Sequence, residues 1–110
     1  MFKTLKLFGV ISRTEFLLPN TSSLVLGLAW GANPPLDLSE SALLIFLAFA
    51  VINLSSAIGA QVNTISDYKL DSQDPRKRYL VEAMDSFGQK RLKWIIAVEF
   101  LFALGLVSLL

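Results

Sequence analysis

Hydrophobic and polar residues alternate along this chain in long blocks rather than at short period. Ser41 to Val62 runs for 22 residues without a charged side chain. At about 1.5 Å per residue that is a helix of about 33 Å, enough to cross a bilayer core of about 30 Å. Phe16 to Gly31 is a second apolar block, interrupted near its start by Pro19, Asn20, Thr21, Ser22 and Ser23. Counted from Thr14, it too reaches spanning length. A third block opens at Trp94, placed as an interfacial anchor, and runs to Leu110 with Glu99 inside it. The pattern predicts spans over approximately 14–32, 41–62 and 94–110. Residues 1–15, with Phe2, Leu5, Leu7 and Phe8 set against Lys3, Lys6 and Arg13, predict an amphipathic helix at the interface. Asn33-Pro34-Pro35 breaks the chain between the first two spans, and 63–93 is a polar connection.

Composition agrees with this. The chain has 110 residues, of which 54% are hydrophobic, too apolar for an ordinary soluble domain of this size. With no Cys and no His, thiolate sites, His-ligated zinc and His-based triads are excluded. A metal here is held by oxygen, which points to magnesium or another hard cation. The N-terminal apolar run is short and broken, with no small-residue cleavage site after it, so it does not read as a removable signal peptide. Basic residues number three in the N-terminal flank, none in the 32–40 loop and seven in 63–93. The positive-inside rule then puts the N-terminus and the 63–93 connection in the cytoplasm. Beside a membrane span these cations read as topology signal or headgroup contact, not as a nucleic-acid surface.

The chemistry concentrates where the second span ends. Asn63, Asp67, Asp71 and Asp74 recur at helical spacing; at 100° per residue the three carboxylates lie about 40°, 80° and 20° from Asn63. Pro75 biases Asp74 away from helical geometry, so the helix should end near there. Arg76, Lys77 and Arg78 follow. Two carboxylates one turn apart suit a divalent cation that bridges phosphate oxygens, and nearby cations suit the remaining oxygens. Asn63, Asp67 and Asp71 are therefore candidate metal ligands, with Asp74 either a further metal-site carboxylate or a helix-terminating polar residue, and Lys77 and Arg78 are candidate phosphate partners. Glu82 and Asp85 read as solvated surface, and Tyr68, about 140° from Asn63, as a packing residue. Asn53, Ser56, Gly59 and Ala60 continue the same face into the second span. That face suits either close helix packing or a wet cavity leading to the carboxylates.

Residues 63–78 resemble the first aspartate-rich motif of the UbiA-type membrane prenyltransferases, Asn-Asp-x-x-Asp-x-x-x-Asp followed by basic residues. The match runs through Asn63, Asp67, Asp71, Lys77 and Arg78, with the preceding span and, loosely, the region back to Arg13. The resemblance implies an all-α, multi-span transmembrane helix bundle of roughly nine spans, of which about three are present here. It implies a cytoplasmic-side site and Mg2+-dependent transfer of a prenyl group from a prenyl diphosphate to an aromatic or lipid acceptor in the membrane. Asp67 and Asp71 would then be catalytic metal ligands, and Asn63, Lys77 and Arg78 would hold the diphosphate.

The sequence departs from that pattern at Thr64, where the family commonly has Asp, and at Tyr79, where Pro often follows. It also lacks the family's second aspartate-rich motif. The expectation is thus an N-terminal third of such an enzyme, inactive alone. The competing reading is a small non-catalytic membrane subunit whose basic juxtamembrane loop binds lipid or a partner. A CDP-alcohol phosphotransferase fits less well, because its Gly and Ala-Arg elements are missing.

Overall fold

A computed structural model of the chain describes residues 1–31 and 37–110. The described residues are helical almost throughout, with no strand among them. The elements are α1 (Phe2–Ile11), α2 (Leu17–Gly31), α3 (Leu38–Ser66), α4 (Tyr68–Asp71), α5 (Arg78–Phe87) and α6 (Gln89–Ser108), with 3₁₀ turns at Thr14–Phe16 and Pro75–Lys77. The expected Asn33-Pro34-Pro35 breaker lies outside the described residues.

Helix α3 organises the rest. It starts at Asp37, whose Oδ1 accepts from the Ser39 amide at 2.8 Å, the Ser39 hydroxyl at 2.6 Å and the Glu40 amide at 3.4 Å. That cap satisfies amides that have no intrahelical partner. The Ser39 hydroxyl first, then the two amides, hold the Asp37 carboxyl below the usual carboxylate range. Among the described residues α3 is the one helix long and apolar enough to cross a membrane, and only 6% of its apolar stretch is buried by the rest of the chain. An apolar helix this uncovered needs an apolar medium or an apolar protein surface around it.

The other two expected spans are less complete. Helix α2 has 15 residues, about 22 Å, short of the ~20 residues a crossing requires. Its polar start does not interrupt it. Thr21, Ser22 and Ser23 donate their hydroxyls to the carbonyls of Leu17, Leu18 and Pro19, and Pro19 sits in the first turn, where its missing N–H has no carbonyl to serve. Helix α6 has 20 residues, but it begins five residues before Trp94 and takes in Lys90, Arg91 and Lys93.

The 63–93 connection is more ordered than a polar loop. Within it, α5 carries Leu80, Ala83, Met84 and Phe87 on one stripe at helical spacing, all buried. Ala83, Met84 and Phe87 meet Ile11 from α1 and Leu92 from α6. Ile11 and Leu92 are fully buried and Met84 nearly so, each contributing about 1.5–3 kcal/mol of apolar burial. Phe8 stacks on Phe87 at 5.9 Å between centroids. The inner face of α1 is therefore held by protein, while Phe2, Lys3, Leu5 and Lys6 are exposed. Gly88, at φ 98° and ψ 118°, makes the corner between α5 and α6. A side chain rarely adopts that backbone conformation.

Candidate functional site

The candidate ligands sit where α3 gives way to α4. Asp67 takes φ −90° and ψ 1°, off the helical well, and separates the two helices. The hydrogen-bond ladder nonetheless runs across it: the Asp67 amide donates to the Asn63 carbonyl and the Asp71 amide to the Asp67 carbonyl, both at 2.8 Å. Four-residue bonding through the break keeps Asn63, Asp67 and Asp71 on one face. The helix then ends, Asp74 turns extended at φ −101° and ψ 111°, as a residue before Pro must, and the chain doubles back as α5.

One small cavity, about 130 Å³, forms at this junction. It is lined by Asn63, Asp67, Asp71 and Lys77, by Ala60, Thr64 and Leu80, and by Arg13 from the far end of α1. Asp71 is 6% exposed, and its Oδ1 accepts from Lys77 Nζ at 2.8 Å. That bond, with the Asp71 charge behind it, pushes the Lys77 ammonium above the ordinary lysine range. The Asp67 side chain has no hydrogen-bond or ion-pair partner among the described residues. Its half-buried carboxylate is the uncommitted one.

Two sequence-predicted residues lie elsewhere. Arg78 is exposed and pairs with Glu82 one turn along α5 at 2.7 Å; it faces a separate groove. The 100° step from Lys77 to Arg78 turns the second cation away from the first. Asp74 caps the Pro75–Lys77 turn and binds Arg76 through both carboxylate oxygens at 3.1 Å. The Arg76 bonds hold its carboxyl below the usual range. Of the two roles open to Asp74, the structure places it as the turn cap, and neither it nor Arg78, a candidate diphosphate partner, lines the cavity. Among the described residues no group of three acidic side chains is arranged to share a metal. The donor set for a cation is two carboxylates, Asp67 and Asp71, and the Asn63 amide oxygen. Two carboxylates plus substrate phosphates are a usual magnesium environment, so the residues present fit that ion.

Arg13 is the residue the sequence pattern missed. It adopts φ 52°, the one non-glycine positive φ among the described residues. Its Nε is buried and lacks a hydrogen-bond partner, although Glu15 approaches to 3.4 Å and the guanidinium lies over Phe16 at 5.4 Å. The Glu15 ion pair offsets part of the cost of burying that donor, but it is not a hydrogen bond. Tyr68 packs against the α1–α5–α6 core and also donates its hydroxyl to Asp85. That bond raises the Tyr68 phenol above its ordinary range and ties α4 to α5.

No family model, curated protein or solved structure matches the chain.

Proposed function

We propose that this chain binds the diphosphate of an isoprenoid substrate together with Mg2+, and that it serves Mg2+-dependent prenyl transfer to an aromatic or lipid acceptor at the membrane, within a longer UbiA-type enzyme. The observation that carries the reading is the cavity itself. Asn63, Asp67 and Asp71 share it with the two cations Lys77 and Arg13, and it opens where the membrane-length helix ends. Carboxylates for a cation and cations for phosphate, gathered at the edge of an apolar helix, suit a ligand with a charged head and a hydrocarbon tail. The topology that goes with it has the N-terminus and cavity on the cytoplasmic side, with α6 and the segment from Thr14 through α2 crossing beside α3 in a multi-span bundle.

In the reaction, the carbon–oxygen bond of the prenyl diphosphate breaks and its electron pair leaves on the diphosphate oxygen. The acceptor forms the new bond to the prenyl carbon and loses a proton. Bound magnesium supplies charge neutralisation at the phosphate oxygens. Asp67 and Asp71 would hold that ion, with Asn63 adding a neutral oxygen. Lys77 and Arg13 meet the charge that develops on the leaving group, through bonds stronger than those of neutral donors.

Calorimetric titration of the chain in detergent with geranylgeranyl diphosphate tests this. Binding is expected to require Mg2+, and Asp67→Asn or Asp71→Asn should weaken it at least roughly tenfold, the scale of one lost charge-assisted contact. Binding indifferent to Mg2+, or to both substitutions, overturns the proposal.

A further inference from the structure

One buried polar contact lies beside the cavity without lining it. Gln61 Nε2 donates to Ser12 Oγ at 2.9 Å. Gln61 is fully buried and Ser12 is 5% exposed. The bond joins the end of α1 to the last turns of α3. An apolar pair would fill that place without the cost of burying polar groups, and Gln61 Oε1 has no partner. A directional bond kept at such a place fixes an orientation.

What it fixes is the turn that follows. Ser12 caps α1, its amide donating to the Phe8 carbonyl at 2.8 Å, and the Arg13 amide donates to the Val10 carbonyl at 3.3 Å. Arg13 then enters the left-handed region, unfavourable for any residue with a side chain. Across the contact, Gln61 sits between Ala60 and Asn63, both of which line the cavity with Arg13. The same hydrogen bond therefore sets α1 against α3 one residue from the strained arginine and two from the first oxygen ligand.

We infer that Ser12 and Gln61 are positioning residues: their hydrogen bond holds the turn at Arg13 so that its guanidinium, which lines the cavity, is presented to a phosphate bound beside Asp67 and Asp71. This rests on the diphosphate reading of the cavity. A displacement of about 1 Å in a group that binds a substrate can cost a large part of its contribution, so a single bond can matter at this distance.

The test is a double-substitution cycle on the whole chain, read as affinity for geranylgeranyl diphosphate with Mg2+ present. Arg13→Ala is expected to weaken binding roughly ten- to hundredfold. Ser12→Ala and Gln61→Leu should each weaken it roughly tenfold. In the Arg13→Ala background neither should weaken it further, because there is no guanidinium left to place. Ser12→Thr keeps the oxygen and should retain affinity near the parent value. The inference is overturned if the single changes leave affinity unaltered, if their losses persist at full size without Arg13, or if Ser12→Thr is as weak as Ser12→Ala. Should Gln61→Leu fail to fold, the Ser12 arm decides alone. Absence of Mg2+-dependent binding by the parent chain would instead remove the diphosphate reading on which the inference stands.

Discussion

Lys77 is the residue whose replacement separates a working site from a balanced surface. It holds Asp71 at 2.8 Å, so any cation on that carboxylate must sit near a positive charge. A divalent and a univalent cation about 5 Å apart repel by an amount worth on the order of tenfold in affinity, even at the dielectric of water. Lys77→Met removes that repulsion and frees Asp71. Mg2+ alone should therefore bind on the order of tenfold more tightly. The diphosphate loses a charge-assisted contact at the same time, and its affinity at saturating Mg2+ should fall roughly ten- to hundredfold. The two ligands thus move in opposite directions. Calorimetry with MgCl2 alone, then with geranylgeranyl diphosphate, reads both, and circular dichroism checks that the variant folds. A lysine that merely neutralises surface carboxylates would leave both titrations flat. If both affinities fall together, Lys77 supports the fold of the cavity and not its ligand, and the reasoning fails.

Three further outcomes follow from the fold. Gly88→Ala forces a side chain into φ 98° and should destabilise the chain by about 1–3 kcal/mol. Gly105→Ala, in helical backbone with open space around the added carbon, should be neutral or stabilise by about 0.5–1 kcal/mol; thermal unfolding in detergent that gave both the same sign would refute this. Glu99→Gln should raise the unfolding temperature, because Glu99 Oε2 and Gln61 Oε1 are both buried acceptors without donors and the two side chains face one another. An amide supplies the missing N–H, worth about 1 kcal/mol, and a lower melting temperature would show that the charge is needed. The Asp37 cap, whose carboxyl is held below its usual value of 3.8, contributes in full above that value. Its contribution is lost as pH falls through the depressed folded value. Asp37→Asn caps without titrating, so its helicity should change less than the parent's between pH 5 and 2; parallel acid curves would refute that role.

How much of this was legible in the sequence depends on the range of the interaction that decided it. The uncharged run before Asn63 is a local signal, and α3 emerged where it pointed. The face shared by Asn63, Asp67 and Asp71 is equally local, because the four-residue hydrogen bonds survive the break at Asp67. Arg78 and Asp74 lie outside the cavity for reasons also written nearby. Arg78 stands four residues before Glu82, the spacing of a helical ion pair. Asp74 stands directly before Pro75, a natural cap. Each had a neighbour competing for its charge, and the nearer partner won.

The remaining omissions are one omission. Reading 63–93 as a polar connection hid α5, because Arg78, Glu82 and Asp85 mask the stripe of Leu80, Ala83, Met84 and Phe87. That stripe is the surface on which α1 lies, through Phe8 and Ile11. Without it, α1 has no protein surface to pack on, and Arg13 has no reason to approach carboxylates more than fifty positions away. Once the stripe is seen, the arginine follows: a helix that buries Ile11 against Met84 and Phe87 ends with its next polar residues, Ser12 and Arg13, against the last turns of α3. The cation missing from the motif is thus delivered by hydrophobic packing, and a change in α5 that loosens Ile11 should weaken the cavity without touching any residue that lines it.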